Sequence, residues 1–117
     1  MLHSTEVLNM LAHLSANSSK NKIIAYCLLL HILDDFDDWG GTASKKDLIS
    51  FVKERFQLTT SINEIEKVVN IINERYNNNI IGIGGIQGES WVTIISTSEG
   101  VNRSIIYEEL EMTLNWN

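Results

Sequence analysis

Carboxylates form the first cluster of side chains in this chain that could do chemistry. Asp34, Asp35, Asp37 and Asp38 fall within five consecutive residues. Hard cations such as Ca²⁺ and Mg²⁺ bind several carboxylate oxygens, so the run has the right residue type for a metal site. It lacks the D-x-[DN]-x-[DN]-G order and the closing Glu of an EF-hand loop. The pattern therefore favours a solvated loop between helices, with a partner-binding acidic patch and a metal site as the alternatives.

The histidines, the cysteine and the glycines provide no motif for catalysis. His3, His13 and His31 lie far apart and have no H-x-x-x-H or C-x-x-C companion. Cys27 lies in an apolar run, which favours a buried thiol that acts as a small hydrophobic group. The glycine-rich segment 82–85 is not followed by a predicted helix, so it does not match a phosphate-binding loop. We therefore expect neither an enzymatic site nor a cofactor.

Hydrogen-bonding side chains concentrate between residues 59 and 70. These side chains belong to Thr59, Thr60, Ser61, Asn63, Lys67 and Asn70. Ser61 and Glu64 form an S-x-x-E capping box, which predicts that a helix begins here. The apolar positions at helical spacing are Ile62, Ile65, Val69, Ile72 and Tyr76, with Val68 beside them. The polar side chains are therefore predicted on the exposed side of an amphipathic helix that ends at the tract 77–79.

Four further helices are predicted, three before this one and one after it. The first begins at Ser4 or Thr5, and the second spans about 22–35 and is apolar on nearly every side, which predicts a central position. Ser44 opens a third helix that runs to Arg55 and Phe56. A last helix is predicted over about 98–114.

Two strands are predicted between the amphipathic helix and the last one. Residues 80–86 and 91–97 are rich in β-branched side chains, and the segment 87–90 that joins them is typical of a hairpin turn. The elements together predict an α+β protein that is mostly α.

Length and composition fit one domain. The chain has 117 residues, of which 44% are apolar. It has no apolar run of about 18 residues for a membrane span, and its first residues do not match a secretory signal, so we expect a cytoplasmic protein without membrane contact. Its net charge of −6 opposes binding to polyanions overall, although local basic clusters can still contact phosphates.

The order helix, short link, helix, hairpin, helix resembles a winged helix-turn-helix from about Lys22 to Leu114. The junction Ile94-Ile95-Ser96-Thr97-Ser98-Glu99-Gly100 is similar to the end of the wing in the MarR-like and PadR-like bacterial regulators. The resemblance implies a single domain over residues 1–117 with an extra N-terminal helix. Within it, Ser44–Arg55 would be the positioning helix, Ser61–Tyr76 the recognition helix and about 80–97 the wing.

The same resemblance implies a DNA-binding site. Residues 59–61 together with Asn63, Lys67 and Asn70 would face the major groove, where Asn can bond adenine and Lys can reach guanine or phosphate. Lys45 and Lys46 would contact phosphates. The terminal helices would form a homodimer. These implications predict a homodimeric, sequence-specific DNA-binding regulator or a partition or control protein.

Acidic residues on the same surface support a second hypothesis. Glu64, Glu66 and Glu74 share the predicted helix, and the wing tip carries Glu89 without Lys or Arg. The alternative is an acidic module that binds a basic protein partner, such as an inhibitor of a nucleic-acid-binding protein. Clustering of the lysines at 45, 46 and 67 with Lys20 or Lys22 would favour DNA. Carboxylates around them would favour the protein partner.

Overall fold

The computed structural model of the chain describes residues 2–38, 40–74, 80–85, 93–97 and 100–116. Within these ranges the chain forms five helices and three short strands. In chain order they are α1 (Thr5–Leu11), α2 (Lys20–Asp34), β1 (Thr42–Ser44), α3 (Lys45–Phe56), α4 (Ile62–Asn73), β2 (Ile81–Gly85), β3 (Thr93–Thr97) and α5 (Arg103–Leu114). The predicted mostly helical α+β class is confirmed. The predicted helix end at Tyr76, the tract 77–79 and the hairpin turn 87–90 lie outside the described residues.

Helix α2 is the centre of the core. Every residue from Ile23 to Leu33 is buried, and α1, α3, α4, α5 and β1 all pack against the helix. A helix with apolar side chains on all sides is stable in water only when other elements cover all of those sides. The central position predicted for this segment is therefore confirmed.

The three strands form an antiparallel sheet in the order β1-β3-β2. Thr42 pairs with Ser96 and Ser44 with Ile94, while Ile81 pairs with Thr97 on the other side of β3. The sequence predicted β2 and β3 but missed β1. A strand of three residues is too short to show the alternation of apolar and polar residues that indicates a strand.

Glycines allow the chain to approach β3 closely just before β1. Gly41 donates its N–H to Thr97 Oγ1 at 3.1 Å and accepts from the Thr97 N–H at 3.0 Å. Gly40 has a φ of +122°, and a Cβ at this position would lie 2.3 Å from Thr97 Oγ1. Both the backbone conformation and the contact therefore require glycine at position 40.

Side-chain caps determine where the helices begin. Ser61 Oγ accepts from the Glu64 N–H at 3.2 Å and Glu64 Oε1 accepts from the Ser61 N–H at 3.0 Å, so the predicted capping box is confirmed. The last helix begins later than predicted. Asn102 Oδ1 accepts from the Ile105 N–H at 3.2 Å, and Gly100 precedes this cap with a left-handed φ of +85°. The glycine thus belongs to the turn before α5 and not to its first turn.

In the part of the chain that the structure describes, no helix has the length and apolar character needed to cross a membrane.

Candidate nucleic-acid interface

Helix α4 presents a polar stripe to solvent. Ile65, Val68, Val69 and Ile72 are at most 1% exposed and hold the helix on the core. The opposite side carries exposed Asn63, Lys67 and Asn70. Residues separated by four and three positions lie on the same side of a helix. These three residues are called the outer stripe below, and their predicted exposure is confirmed.

Ile62 does not belong to the buried stripe where the sequence placed it. Its exposed fraction is 41%, whereas Ile65 is fully buried. Ile62 is the first residue of α4. The contact of this helix with the core therefore starts one turn later than predicted, and an apolar side chain remains in solvent beside Asn63.

The prediction that Lys45 contacts phosphate is wrong. Its side chain is 1% exposed, and its Nζ lies 2.7 Å from Glu66 Oε1. The aliphatic part of a lysine packs well against apolar groups, and the carboxylate on α4 compensates the charge at its end. Lys45 thus fastens the start of α3 to the middle of α4. Its neighbour Lys46 is exposed.

Thr60 also fails as a base-reading residue. It is 5% exposed, so its hydroxyl cannot reach a groove. Its Oγ1 is buried without a hydrogen-bond partner among the described residues. Thr59 and Ser61 on either side are exposed, and the Ser61 hydroxyl caps α4.

Both carboxylates on α4 are paired with lysines from other elements. Besides the pair of Glu66 with Lys45, Lys20 Nζ at the start of α2 lies 2.7 Å from Glu64 Oε2. Hydrogen bonds from Lys20 and from the Ser61 backbone lower the pKa of Glu64 below its ordinary value. Among the described residues Lys67 makes no such ion pair. The negative charge of the α4 surface is therefore smaller than the sequence suggested.

The net negative charge lies outside α3 and α4. The segment 45–74 contains five Lys or Arg and five Asp or Glu, so the −6 belongs to the other residues. Much of it comes from the acidic run 34–38 and from the glutamates at 108, 109 and 111. The segment 45–74, which carries the outer stripe, is therefore electrically neutral.

A buried amide ties the end of α4 to the sheet. Asn73 Oδ1 accepts from the N–H groups of Ile80 and Ile81 at 3.0 and 3.1 Å, and Asn73 Nδ2 donates to the Ile81 carbonyl at 2.9 Å. These bonds position β2 relative to the outer stripe. Sequence reasoning missed this role, because Asn73 has the spacing of an ordinary polar residue on an amphipathic helix.

The acidic run lies beside a cavity of about 380 Å³ whose lining includes His3, His31 and Asp47. Asp34 accepts from the Ser4 N–H at 2.7 Å, and Asp35 accepts from the Thr42 N–H at 3.0 Å. These two carboxylates therefore connect α2 to the N-terminal segment and to β1. Across the described ranges, no three His, Cys, Asp or Glu side chains are grouped so that they could hold a metal ion.

Helices α1 and α5 both pack against α2 and carry exposed side chains of their own. The Tyr107 hydroxyl donates to Glu6 and joins the two helices. Leu8 on α1 is 46% exposed and Met112 on α5 is 42% exposed. A cavity of about 270 Å³ lies between α1, α2 and α5 and is lined partly by Met10 and Leu110.

No protein family, no curated protein and no solved structure matches this chain. The order of its elements and the surface of α4 are the observations that bear on its function.

Proposed function

We propose that the chain is a winged-helix domain that binds duplex DNA through α4 and acts as a sequence-specific regulator or control protein. The order α2-β1-α3-α4-β2-β3 supports this fold, as does the sheet order β1-β3-β2. Residues 57–61 link α3 to α4, as the turn of a helix-turn-helix does. In this arrangement α4 is the recognition helix, and β2 and β3 are the strands of the wing.

The outer stripe is the observation that carries the proposal. Asn63, Lys67 and Asn70 are exposed on a helix whose opposite side is fixed by the core. An asparagine amide can donate to and accept from adenine in the major groove, and a lysine ammonium can reach guanine or a phosphate. A rigid helix that presents amides and an ammonium along one side is suited to the edges of base pairs.

The charge distribution is compatible with this role. The pairs Lys20–Glu64 and Lys45–Glu66 compensate two carboxylates that would otherwise repel phosphates. The segment 45–74 is neutral, and salt screens charges that lie more than about 8–10 Å away in solution. Lys67 in the outer stripe supplies positive charge at the exposed surface.

We further propose that the protein acts as a homodimer through α1 and α5. Leu8 and Met112 are exposed apolar side chains on these two helices, which lie outside the helix pair α3–α4. A dimer would present two recognition helices and would double the number of phosphate contacts. Doubling those contacts steepens the salt dependence of binding and raises affinity at low salt.

A second candidate function is binding to a basic protein. The observation that favours it is that Lys20 and Lys45, two of the five lysines expected to decide the matter, contact carboxylates. The net charge of −6 points the same way. The outer stripe, with two amides and one ammonium, does not match a basic partner, so DNA remains the preferred ligand.

A salt titration distinguishes the two functions. Binding of the purified chain is measured against a random-sequence duplex and against the DNA upstream of its own gene, over a range of salt concentrations. The DNA proposal expects tighter binding to the upstream DNA and an affinity that falls steeply with salt. Absence of binding to both duplexes at low salt would rule out the DNA proposal, and a pull-down for basic partners would then test the second candidate.

A further inference from the structure

Ile62 is an exposed apolar residue within a polar surface. It lies between exposed Ser61 and exposed Asn63 in the first turn of α4, and 41% of it is exposed. The other large hydrophobic residues of comparable exposure in the described ranges are Leu8 and Met112, on α1 and α5. On α3 and α4, Ile62 is the one large hydrophobic residue with this much exposure among the described residues, since Ile49, Phe51 and Phe56 are partly buried against the core. A protein interface would require a wider apolar patch than one side chain provides.

The chemistry of one base pair matches the pair Ile62 and Asn63. In the major groove an A·T pair presents the N7 acceptor and N6 donor of adenine together with the C5 methyl group of thymine. An asparagine amide bonds the adenine edge in bidentate fashion, and an apolar side chain contacts the methyl group. A G·C pair has no methyl group to offer.

The positions of the two residues allow both contacts at once. Consecutive residues of a helix are about 100° apart around its axis, since one turn contains 3.6 residues. Both residues belong to the first turn of α4, and the N-terminal part of a recognition helix is the part that enters the groove. Ile62 can therefore reach a thymine on the same or an adjacent base pair as the base that Asn63 contacts.

We infer that α4 recognises a site that contains A·T pairs and that Ile62 determines specificity by contacting the thymine methyl group. This inference rests on the proposed function, because it assigns the ligand class of the same helix. Ile62 discriminates thymine from cytosine and from uracil, and Asn63 discriminates adenine from guanine. Lys67, one turn further along α4, contacts the next base or phosphate.

The experiment removes the C5 methyl group of thymine from the DNA and changes nothing else in the duplex. Duplexes that bind the full chain are selected from a random library, and each thymine of the enriched site is replaced in turn by deoxyuridine. Affinity is measured for the unaltered chain, for Ile62→Ala and for Asn17→Ala, which truncates an exposed side chain in the loop between α1 and α2. Both substitutions fall on exposed positions, so circular dichroism is expected to show an unchanged fold.

The unaltered chain and Asn17→Ala should each lose about fourfold in affinity at one thymine position, the factor expected for burying one methyl-sized group. Ile62→Ala should bind the thymine and deoxyuridine duplexes equally well, because the two changes remove the same contact. An equal deoxyuridine effect in the unaltered chain and in Ile62→Ala would overturn the inference. So would an enriched site without A·T pairs, and neither result would touch the proposed function. A library that yields no enriched sequence would overturn the proposed function and the inference with it.

Discussion

The side chain of Asn73 and the backbone of Ile81 form two reciprocal hydrogen bonds: the amide nitrogen donates to the Ile81 carbonyl at 2.9 Å, and the amide oxygen accepts from the Ile81 N–H at 3.1 Å. The pair mimics the pairing of two strands, with a side chain in the place of a second backbone. It joins the last residue of α4 to the first residue of β2. The position of β2 relative to α4 therefore depends on one buried amide.

Replacement of Asn73 by Ala should destabilise the domain by about 3 kcal/mol, because three buried backbone groups would lose their partner and each costs about 1–3 kcal/mol when nothing replaces it. Urea unfolding followed by circular dichroism measures the loss. Asn70→Ala is the matched control, since it truncates the same residue type on the exposed side of the same helix and should change stability by less than about 0.5 kcal/mol. Equal effects at the two positions would contradict the role assigned to Asn73.

In the Lys45–Glu66 ion pair, replacing Glu66 should lower the free energy of unfolding more than replacing Lys45. Glu66→Gln leaves the ammonium of a 1% exposed lysine without its counter-charge, whereas Lys45→Met keeps the aliphatic stem and leaves a half-exposed carboxylate to water. We expect a loss of about 1–2 kcal/mol for Glu66→Gln, reduced from the value for a fully buried pair because Glu66 is 41% exposed. Lys45→Met should cost less.

Glu64→Gln provides the control for this comparison in the same unfolding experiment. Its partner Lys20 is 40% exposed, and an exposed pair contributes little to stability. No resolvable change is expected for it. A loss at Glu64→Gln as large as that at Glu66→Gln would mean that burial of Lys45 does not determine the response.

Two substitutions in the outer stripe should weaken DNA binding in different ways. Asn63→Ala should cost about 1–3 kcal/mol on the preferred sequence and little on random DNA, because it removes contacts to bases. Lys67→Glu should weaken binding to every sequence and reduce the salt slope by about one or more, because it removes a phosphate contact and adds repulsion. Asn9→Ala on α1 is the control, since this residue is exposed outside the helix pair. Unchanged binding of both stripe variants to a confirmed DNA target would show that α4 is not the recognition helix.

Protonation of the buried His31 should lower the free energy of unfolding in mild acid. Burial lowers its pKa below the ordinary value of 6.5, against smaller opposite effects of its hydrogen bond to Cys27 and of the Asp34 and Asp47 carboxylates. Because the unfolded chain binds this proton more readily than the folded one, the contribution of His31 is complete above about pH 6.5 and is lost as the pH falls toward the folded-state pKa. Urea unfolding at pH 7.5 and at pH 5.5 measures the difference.

The His31→Gln variant, whose amide does not charge, should lose less stability than the unaltered chain over this interval. His13→Gln, at an exposed position, should lose as much as the unaltered chain. The same acid dependence in all three proteins would assign the effect to other groups.

The proposed homodimer predicts a mass of two chains in light scattering at micromolar concentration. Leu8→Glu together with Met112→Glu should return the mass of one chain, because each places a charge on an exposed apolar position of α1 or α5. Ile62→Glu is the control and should remain dimeric, since Ile62 lies on α4. A single-chain mass for the unaltered protein would remove the dimer from the proposal.

Local signals explain which parts of the fold were predictable. The Ser61–Glu64 capping box and the apolar run of α2 are encoded by neighbouring residues, so both were predicted correctly. Lys45 and Ile62 were misplaced because helical spacing gives the side of a helix on which a residue lies but not which part of that side another element covers. Thr60 lies in the link before α4, where no helical spacing applies and burial depends on the folded contacts. Strand β1 and the role of Asn73 depend on pairing with residues far along the chain or in another element, for which a single sequence contains no local pattern.

The order of the strands fixes where α3 begins relative to where α4 ends. Strand β1 leads directly into α3, β2 is attached to the end of α4, and both strands pair with β3 between them. Ser44 pairs with Ile94 and Ile81 pairs with Thr97, so the start of α3 and the end of α4 are attached to the sheet two strands across and three residues along from each other. A force that pulls β2 and β3 away from the rest of the domain would be resisted by the pairing of β3 with β1 and would reach α3 and α4 together.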